Sequence, residues 1–219
     1  MVNIDTWMEA FSHKLKETFG PRLLFLGIQG SYGRGEATED SDIDVVCVLD
    51  KADLADLEAY RALVRQMPEG EKACGFLCGV EELKSWPPYD LCSVVRDTRP
   101  VWGSWDALLP PLSREDLAQG VAIGASGLYH AAVHTYLYGE KEGWSAFLGE
   151  AHKSAFFVLR DCHELRTGKQ IRTKGELLSL LEGEERAILA WALAPEGDEK
   201  EAFARLISWS GSLLGEKIL

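Results

Sequence analysis

The chain has 219 residues, with 35 acidic against 23 basic side chains, a net charge of −12 and 46% hydrophobic residues. That is enough apolar material for one large domain or two small ones, and it excludes an intrinsically disordered chain. The acidic balance argues against a protein that grips duplex nucleic acid through broad phosphate neutralisation, while leaving room for a local basic pocket. Five cysteines, Cys47, Cys74, Cys78, Cys92 and Cys162, are an odd number without framework spacing. The opening MVNIDTWMEAF lacks the basic and then apolar pattern of a secretory leader, and no apolar run approaches the roughly 20 residues of a membrane span. Together these features predict a cytoplasmic protein with no membrane segment.

Residues 3–18 place Ile4, Trp7, Met8, Phe11 and Leu15 at helical spacing, and Gly20-Pro21 ends that helix. Residues 23–29 are a short apolar run, too brief for a helix, and read as a buried strand. A Gly-rich polar loop over 30–41 leads to 42–50, whose β-branched content marks a second strand. Residues 52–67 carry Leu54, Leu57, Leu63 and Val64 on one stripe, as a helix does. Residues 73–80 read as a third strand and 91–95 as a short further one. The texture changes after Trp86-Pro87-Pro88 and again after Pro110-Pro111. From Ser113 onward no segment alternates with period two, and 113–139, 143–167, 175–194 and 198–214 suit helices. Ser113 with Asp116, and Asp198 with Glu201, have the spacing of helix-capping pairs. The pattern predicts a small α/β unit to about residue 110, followed by a helical half.

The chemistry is concentrated in residues 27–46. Side chains alternate faces along a strand, so Asp42 and Asp44 project from one side about 6–7 Å apart. Val46 and Val48 continue that side as apolar residues, and Ile43, Val45, Cys47 and Leu49 make the other side apolar throughout. Two carboxylates therefore emerge together at the start of an otherwise buried strand, which costs free energy unless a cation compensates. Mg²⁺ is commonly held by one or two carboxylates plus substrate phosphates, so the pair predicts Mg²⁺. Gly30 lets the backbone turn and approach a ligand closely. The N–H groups that follow, with the Ser31 hydroxyl, suit phosphate oxygens, and Arg34 adds a charge-assisted contact. The glycine spacing does not fit G-x-x-x-x-G-K-[ST], which excludes a Walker loop.

Gly30-Ser31, ten intervening residues and Asp42-Ile43-Asp44 inside an apolar strand resemble the nucleotidyltransferase superfamily that includes DNA polymerase beta. More loosely, residues 159–174 (LRDCHELRTGKQIRTK) resemble the helix, Thr-Gly turn and Lys of the helical domain in aminoglycoside nucleotidyltransferases. The resemblance implies an α+β fold, with a small mixed β-sheet nucleotidyltransferase domain over 1–110 and an all-α substrate-binding domain over 111–219. It implies that Asp42 and Asp44 are catalytic and hold two Mg²⁺ ions. It implies nucleotide binding by Gly30, Ser31, Arg34 and Lys174, the last placed by the Thr167-Gly168 turn. The implied reaction moves a nucleoside monophosphate from ATP or another nucleoside triphosphate to a hydroxyl of an aminoglycoside-like small molecule seated between the domains, releasing pyrophosphate. A second reading within the same superfamily is an antitoxin-type or nucleotide-sensing protein that binds or modifies a protein partner. Minimal partners of that type lack a helical domain of their own.

In one respect the chain departs from the superfamily pattern. A third carboxylate commonly sits on the strand after the intervening helix, yet 73–80 contains neither Asp nor Glu. Glu71, Glu81, Glu82 and Asp90 flank that strand as candidates for the role. Other constellations carry less. Cys74 and Cys78 lack a second pair at zinc-site spacing. His130 and His134 have no intervening Glu and read as surface or cleft-lining residues. No Gly-x-Ser-x-Gly elbow is present. Trp144, Phe147, Phe156 and Phe157 fall at spacings that suit helix packing.

Overall fold

The computed structural model describes residues 2–215, and the chain divides into two compact units, Met1–Pro111 and Leu112–Leu219. The first begins with α1 (Ile4–Phe19). The Asn3 side chain caps it by accepting from the Thr6 N–H, and Trp7, Met8, Phe11, Leu15 and Phe19 are its buried apolar residues. These side chains pack on one face of a sheet made by β1 (Leu23–Ile28), β2 (Ile43–Leu49), β3 (Ala73–Gly79) and β4 (Arg99–Trp102). The strand order is β3-β2-β1-β4. β1 runs antiparallel to both β2 and β4, while β3 runs parallel to β2, so the sheet is mixed. Ile43, Val45, Cys47 and Leu49 of β2 belong to the core shared with α1, as their alternation predicts.

Four short or medium helices connect the strands: α2 (Gly30–Arg34), α3 (Leu54–Val64), α4 (Val80–Lys84) and α5 (Pro88–Asp97). α3 crosses from β2 to the parallel β3 and starts with a capping box in which Asp53 and Asp56 exchange side-chain and backbone bonds. Arg22 fastens this crossover. Its two terminal nitrogens each donate at 2.8 Å to the buried Asp56 carboxylate, and its Nε donates to Asp50 at 3.0 Å. That guanidinium fork holds the Asp56 carboxyl down at about 2.

Two expectations are corrected here. Residues 30–34, taken as the start of a loop, form a helical turn. Residues 91–95, taken as a strand, lie inside α5: Pro88 suits the first helical position, and Leu91 and Cys92 are its buried residues. The fourth strand is instead Arg99–Trp102, whose Pro100 is tolerated because β4 is an edge.

The second unit consists, among the described residues, of helices: α6 (Arg114–Tyr138), α7 (Trp144–Thr167), α8 (Lys174–Leu180), α9 (Gly183–Leu193) and α10 (Glu199–Gly215). The stretch expected as one helix over 175–194 is two, because Leu181 and Glu182 leave the helical conformation. Ser113 and Asp116 form the predicted box with both reciprocal bonds. At the start of α10 the Asp198 carboxylate accepts from the Lys200 N–H. Phe203 anchors an aromatic cluster, stacked on Phe147 and edge-on to Trp144 and Tyr136. No helix among the described residues is long and apolar enough to cross a membrane.

Candidate functional site

The site lies where β1 ends and β2 begins. β1 delivers the chain to Gln29, whose N–H donates to the Asp44 carbonyl at 2.7 Å. The side-chain amide of Gln29 donates to the Val94 carbonyl of α5 at 3.0 Å. Gln29 thus ties the loop, the strand and a helix together at one point. The chain then turns through Gly30 at φ +62°, a left-handed conformation that favours glycine. A Cβ on Gly30 would stand 1.8 Å from Asp44 Oδ2, so backbone and carboxylate are in direct contact and no side chain fits between them.

α2 follows at once. Its first N–H groups, those of Gly30, Ser31 and Tyr32, have no acceptor within the helix, because the residues four before them belong to β1. Ser31 is half-buried, and its carbonyl accepts from the Glu36 N–H at 2.8 Å, folding the loop back. Tyr32 is buried in the core and accepts from the Val2 N–H, fixing the underside of the turn. Arg34 Nε donates to Glu36 at 3.0 Å and its side chain is largely covered, so the guanidinium is held in a defined place.

Asp44 is half-buried and Asp42, immediately before β2, is exposed. Burial pushes the Asp44 carboxyl upward, the neighbouring Asp42 charge pushes it further, and Arg34 opposes both. Gly30, Asp42, Asp44 and Arg34 are therefore brought together at one end of the sheet, with Ser31 in the same turn. Lys174 belongs to the second unit. It is the first residue of α8, behind the Thr173 cap, with its ammonium 5.8 Å from the Phe156 ring centre. Gly168, at φ +71°, ends α7 as the Thr-Gly turn predicts.

The strand register sorts the candidates for a third carboxylate. Asp44 stands opposite Cys74, and Leu49 opposite Gly79. Glu81 and Glu82 follow Gly79, so they lie beyond the far end of β2, about 16 Å along the strand from Asp44. The Glu82 carboxylate is packed at Gly79, beside Lys51 and Ala52. Both are corrected out of the site. Glu71 lies just before β3, at the Asp44 end, and Asp90 lies in the first turn of α5. Sequence reasoning missed Asp97, the last residue of α5. Its backbone carbonyl lies 3.3 Å from the point a Gly33 Cβ would occupy, so it packs directly on α2. It also missed Gln29 as the tie at the site. The only sequence signal for either is position next to a strand end that faces the Gly-Ser turn.

A cation fits this donor set. Two carboxylates share one strand end, one of them is pushed toward protonation by burial and by the charge of the other, and the adjoining backbone is glycine. Among the described residues no group of three or more His, Cys, Asp or Glu converges that could hold a metal ion.

The nucleotidyltransferase domain family matches residues 8–98, a span that contains every element of this strand end. The fold is similar to that of spectinomycin adenyltransferase AAD(9) from Enterococcus faecialis, solved with ATP and spectinomycin. The TM-score is 0.59 at 13% identity, over 97% of this chain and 99% of that one. Two toxin–antitoxin structures also align: a mutant of MntA-HpeT (TM-score 0.33, 16% identity, 59% of this chain and 93% of that one), and one with AMP-PNP (TM-score 0.33, 20% identity, 59% and 94%). No functionally curated protein matches the sequence significantly.

Proposed function

We propose that this protein performs a nucleotidyl transfer, a reading supported by the match of residues 8–98 to the nucleotidyltransferase domain family. The protein moves a nucleoside monophosphate from ATP or another nucleoside triphosphate to a hydroxyl of a small, cationic, aminoglycoside-like acceptor. The observation that carries this reading is the contact of Gly30 with the Asp44 carboxylate, beside Asp42 and Arg34. It sets unpaired backbone donors and a carboxylate pair side by side, which is what a metal-bound triphosphate requires.

In the reaction the acceptor hydroxyl oxygen attacks the α-phosphorus. The bond from that phosphorus to the oxygen bridging the β-phosphate breaks, and pyrophosphate leaves. The N–H groups at the start of α2 and the Ser31 hydroxyl orient the phosphate oxygens, and Arg34 offsets their charge. Asp42 and Asp44 would hold Mg²⁺, which when bound neutralises triphosphate charge and stabilises the attacking and leaving oxygens. Positioning and electrostatics supply most of the rate in such transfers, so a strand without a third carboxylate is compatible with turnover. The net charge of −12 attracts a cationic acceptor electrostatically. A fold shared with an enzyme solved with ATP and spectinomycin is in keeping with that substrate class.

The test is Mg²⁺-dependent pyrophosphate release from each nucleoside triphosphate across a panel of aminoglycosides and other hydroxylated molecules, with Asp44→Asn as control. Release stimulated by one acceptor and lost in the control is the expected result. Triphosphate binding without release for any acceptor would refute small-molecule transfer and favour a nucleotide sensor or a protein acceptor.

A further inference from the structure

The two edges of the sheet are treated differently. The β4 edge is only four residues long and contains Pro100. Pro100, Val101 and Trp102 are exposed there, and two of its side chains engage α1: Lys16 sits 3.6 Å above the Trp102 ring, and Arg99 pairs with Asp5. The β3 edge lacks a proline and a charged side chain, although Trp86 packs 5.2 Å from the Phe76 ring. It is seven residues long, ACGFLCG, and Cys74 and Gly75 are exposed. Proteins ordinarily blunt an open edge with Lys, Pro or a covering segment, because its unpaired N–H and C=O groups are a template for another strand.

The helix beside this edge is equally open. A groove of about 570 Å³ runs between α3 and β3, lined among others by Leu57, Tyr60, Val64 and Phe76. Leu54 and Leu57 continue the α3 stripe toward solvent at 72% and 45% exposure. α3 runs antiparallel to β3: Gly79 lies against Ala52 before α3, and Gly70 against Val64 at its end. Charge along α3 is segregated. Glu58 lies in the N-terminal half, Arg61 in the C-terminal half and Arg65 at the C-terminal cap, and all three are exposed.

That segregation selects the occupant. We propose that β3 is the seam of a two-fold homodimer. The β3 strands of two copies pair antiparallel, joining two four-stranded sheets into one of eight. A two-fold axis normal to the sheet also lays the two α3 helices antiparallel over the seam. Leu57, Tyr60 and Val64 of each copy are then covered, and Glu58 of one copy meets the Arg61–Arg65 half of the other. An isologous interface needs a self-complementary surface, and an uncharged strand flanked by a helix with opposite charges at its two ends is one. The inference stands apart from the transfer reaction, since it uses none of the residues assigned to it.

Sedimentation velocity on the full chain across the micromolar range tests the proposal. The parent sediments as a dimer, and Leu57→Lys raises the dissociation constant roughly tenfold or more. Glu58→Arg and the double variant Arg61→Glu/Arg65→Glu each weaken self-association, whereas a one-to-one mixture of the two restores it as a heterodimer. Hydrogen exchange supplies a second readout: amides of 73–79 gain protection as protein concentration rises. A parent that stays monomeric throughout, with β3 exchange independent of concentration, overturns the proposal and leaves the edge to a different protein's strand. So does a dimer that all of these substitutions leave unchanged.

Discussion

Gly30→Ala separates backbone strain from site geometry. The substitution adds one methyl group at a residue with φ +62°, where an L side chain costs about 1–2 kcal/mol. That methyl would stand 1.8 Å from Asp44 Oδ2, 2.8 Å from its Cγ and 3.3 Å from its Cβ. To regain ordinary contact at 3.4 Å the carboxylate oxygen must retreat by about 1.6 Å. A displacement of about 1 Å at a reacting centre costs on the order of 10²-fold in rate, so Gly30→Ala should lower transfer by at least that factor. Gly35→Ala is the matched control. It has φ +76° and the same intrinsic strain, but nothing lies within 4 Å of the new Cβ. Thermal unfolding should report similar losses of about 1–2 kcal/mol for both variants. Pyrophosphate release should collapse only in Gly30→Ala. Equal activity in the two, with equal loss of stability, would refute a functional role for the contact between Gly30 and Asp44.

Two further expectations concern the register and the helical unit. Glu81→Gln and Glu82→Gln should leave the transfer rate at the parent level, because the parallel register puts both beyond the far end of β2. A loss of roughly 10²–10⁴-fold in either, the scale of general-base help, would contradict that placement. His152 is 1% exposed, donates from Nδ1 to the Leu148 carbonyl at 2.8 Å, and packs its ring 4.6 Å from Trp191. Burial holds its pKa below the ordinary 6.5, the Leu148 contact only partly opposing. The unfolded chain therefore binds this proton more readily. Stability should be full above about pH 6.5 and fall by up to about 1.4 kcal/mol per pH unit below it, levelling off once the folded-state pKa is passed. Urea unfolding between pH 7.5 and 5.5 (about one unit either side of that value) measures the slope. His152→Leu should flatten it, and an unchanged slope would show that other groups set the acid limit.

Local patterns were enough for the elements whose signals are strong and short-range. The spacing of Trp7, Phe11 and Leu15 dictates α1, and the alternation of Ile43, Val45, Cys47 and Leu49 dictates β2. The pairing of Ser113 with Asp116 caps α6, because a hydroxyl three residues from a carboxylate closes its bonds without help from the rest of the chain. The carboxylate pair and the Gly-Ser turn were legible for the same reason: each is set within a few residues. What needed the tertiary structure were choices between competing local patterns and every relation across strands. Leu91–Val95 satisfies both strand and helix composition, and burial of Leu91 and Cys92 after Pro88 decides for the helix. Arg99–Trp102 becomes a strand only because β1 offers a partner edge. Register is a property of two strands at once, so no local pattern places Cys74 opposite Asp44, removes Glu81 and Glu82 from the site, or brings Asp97 onto α2. The open β3 edge is of the same kind, since an edge exists only when the order of strands is known.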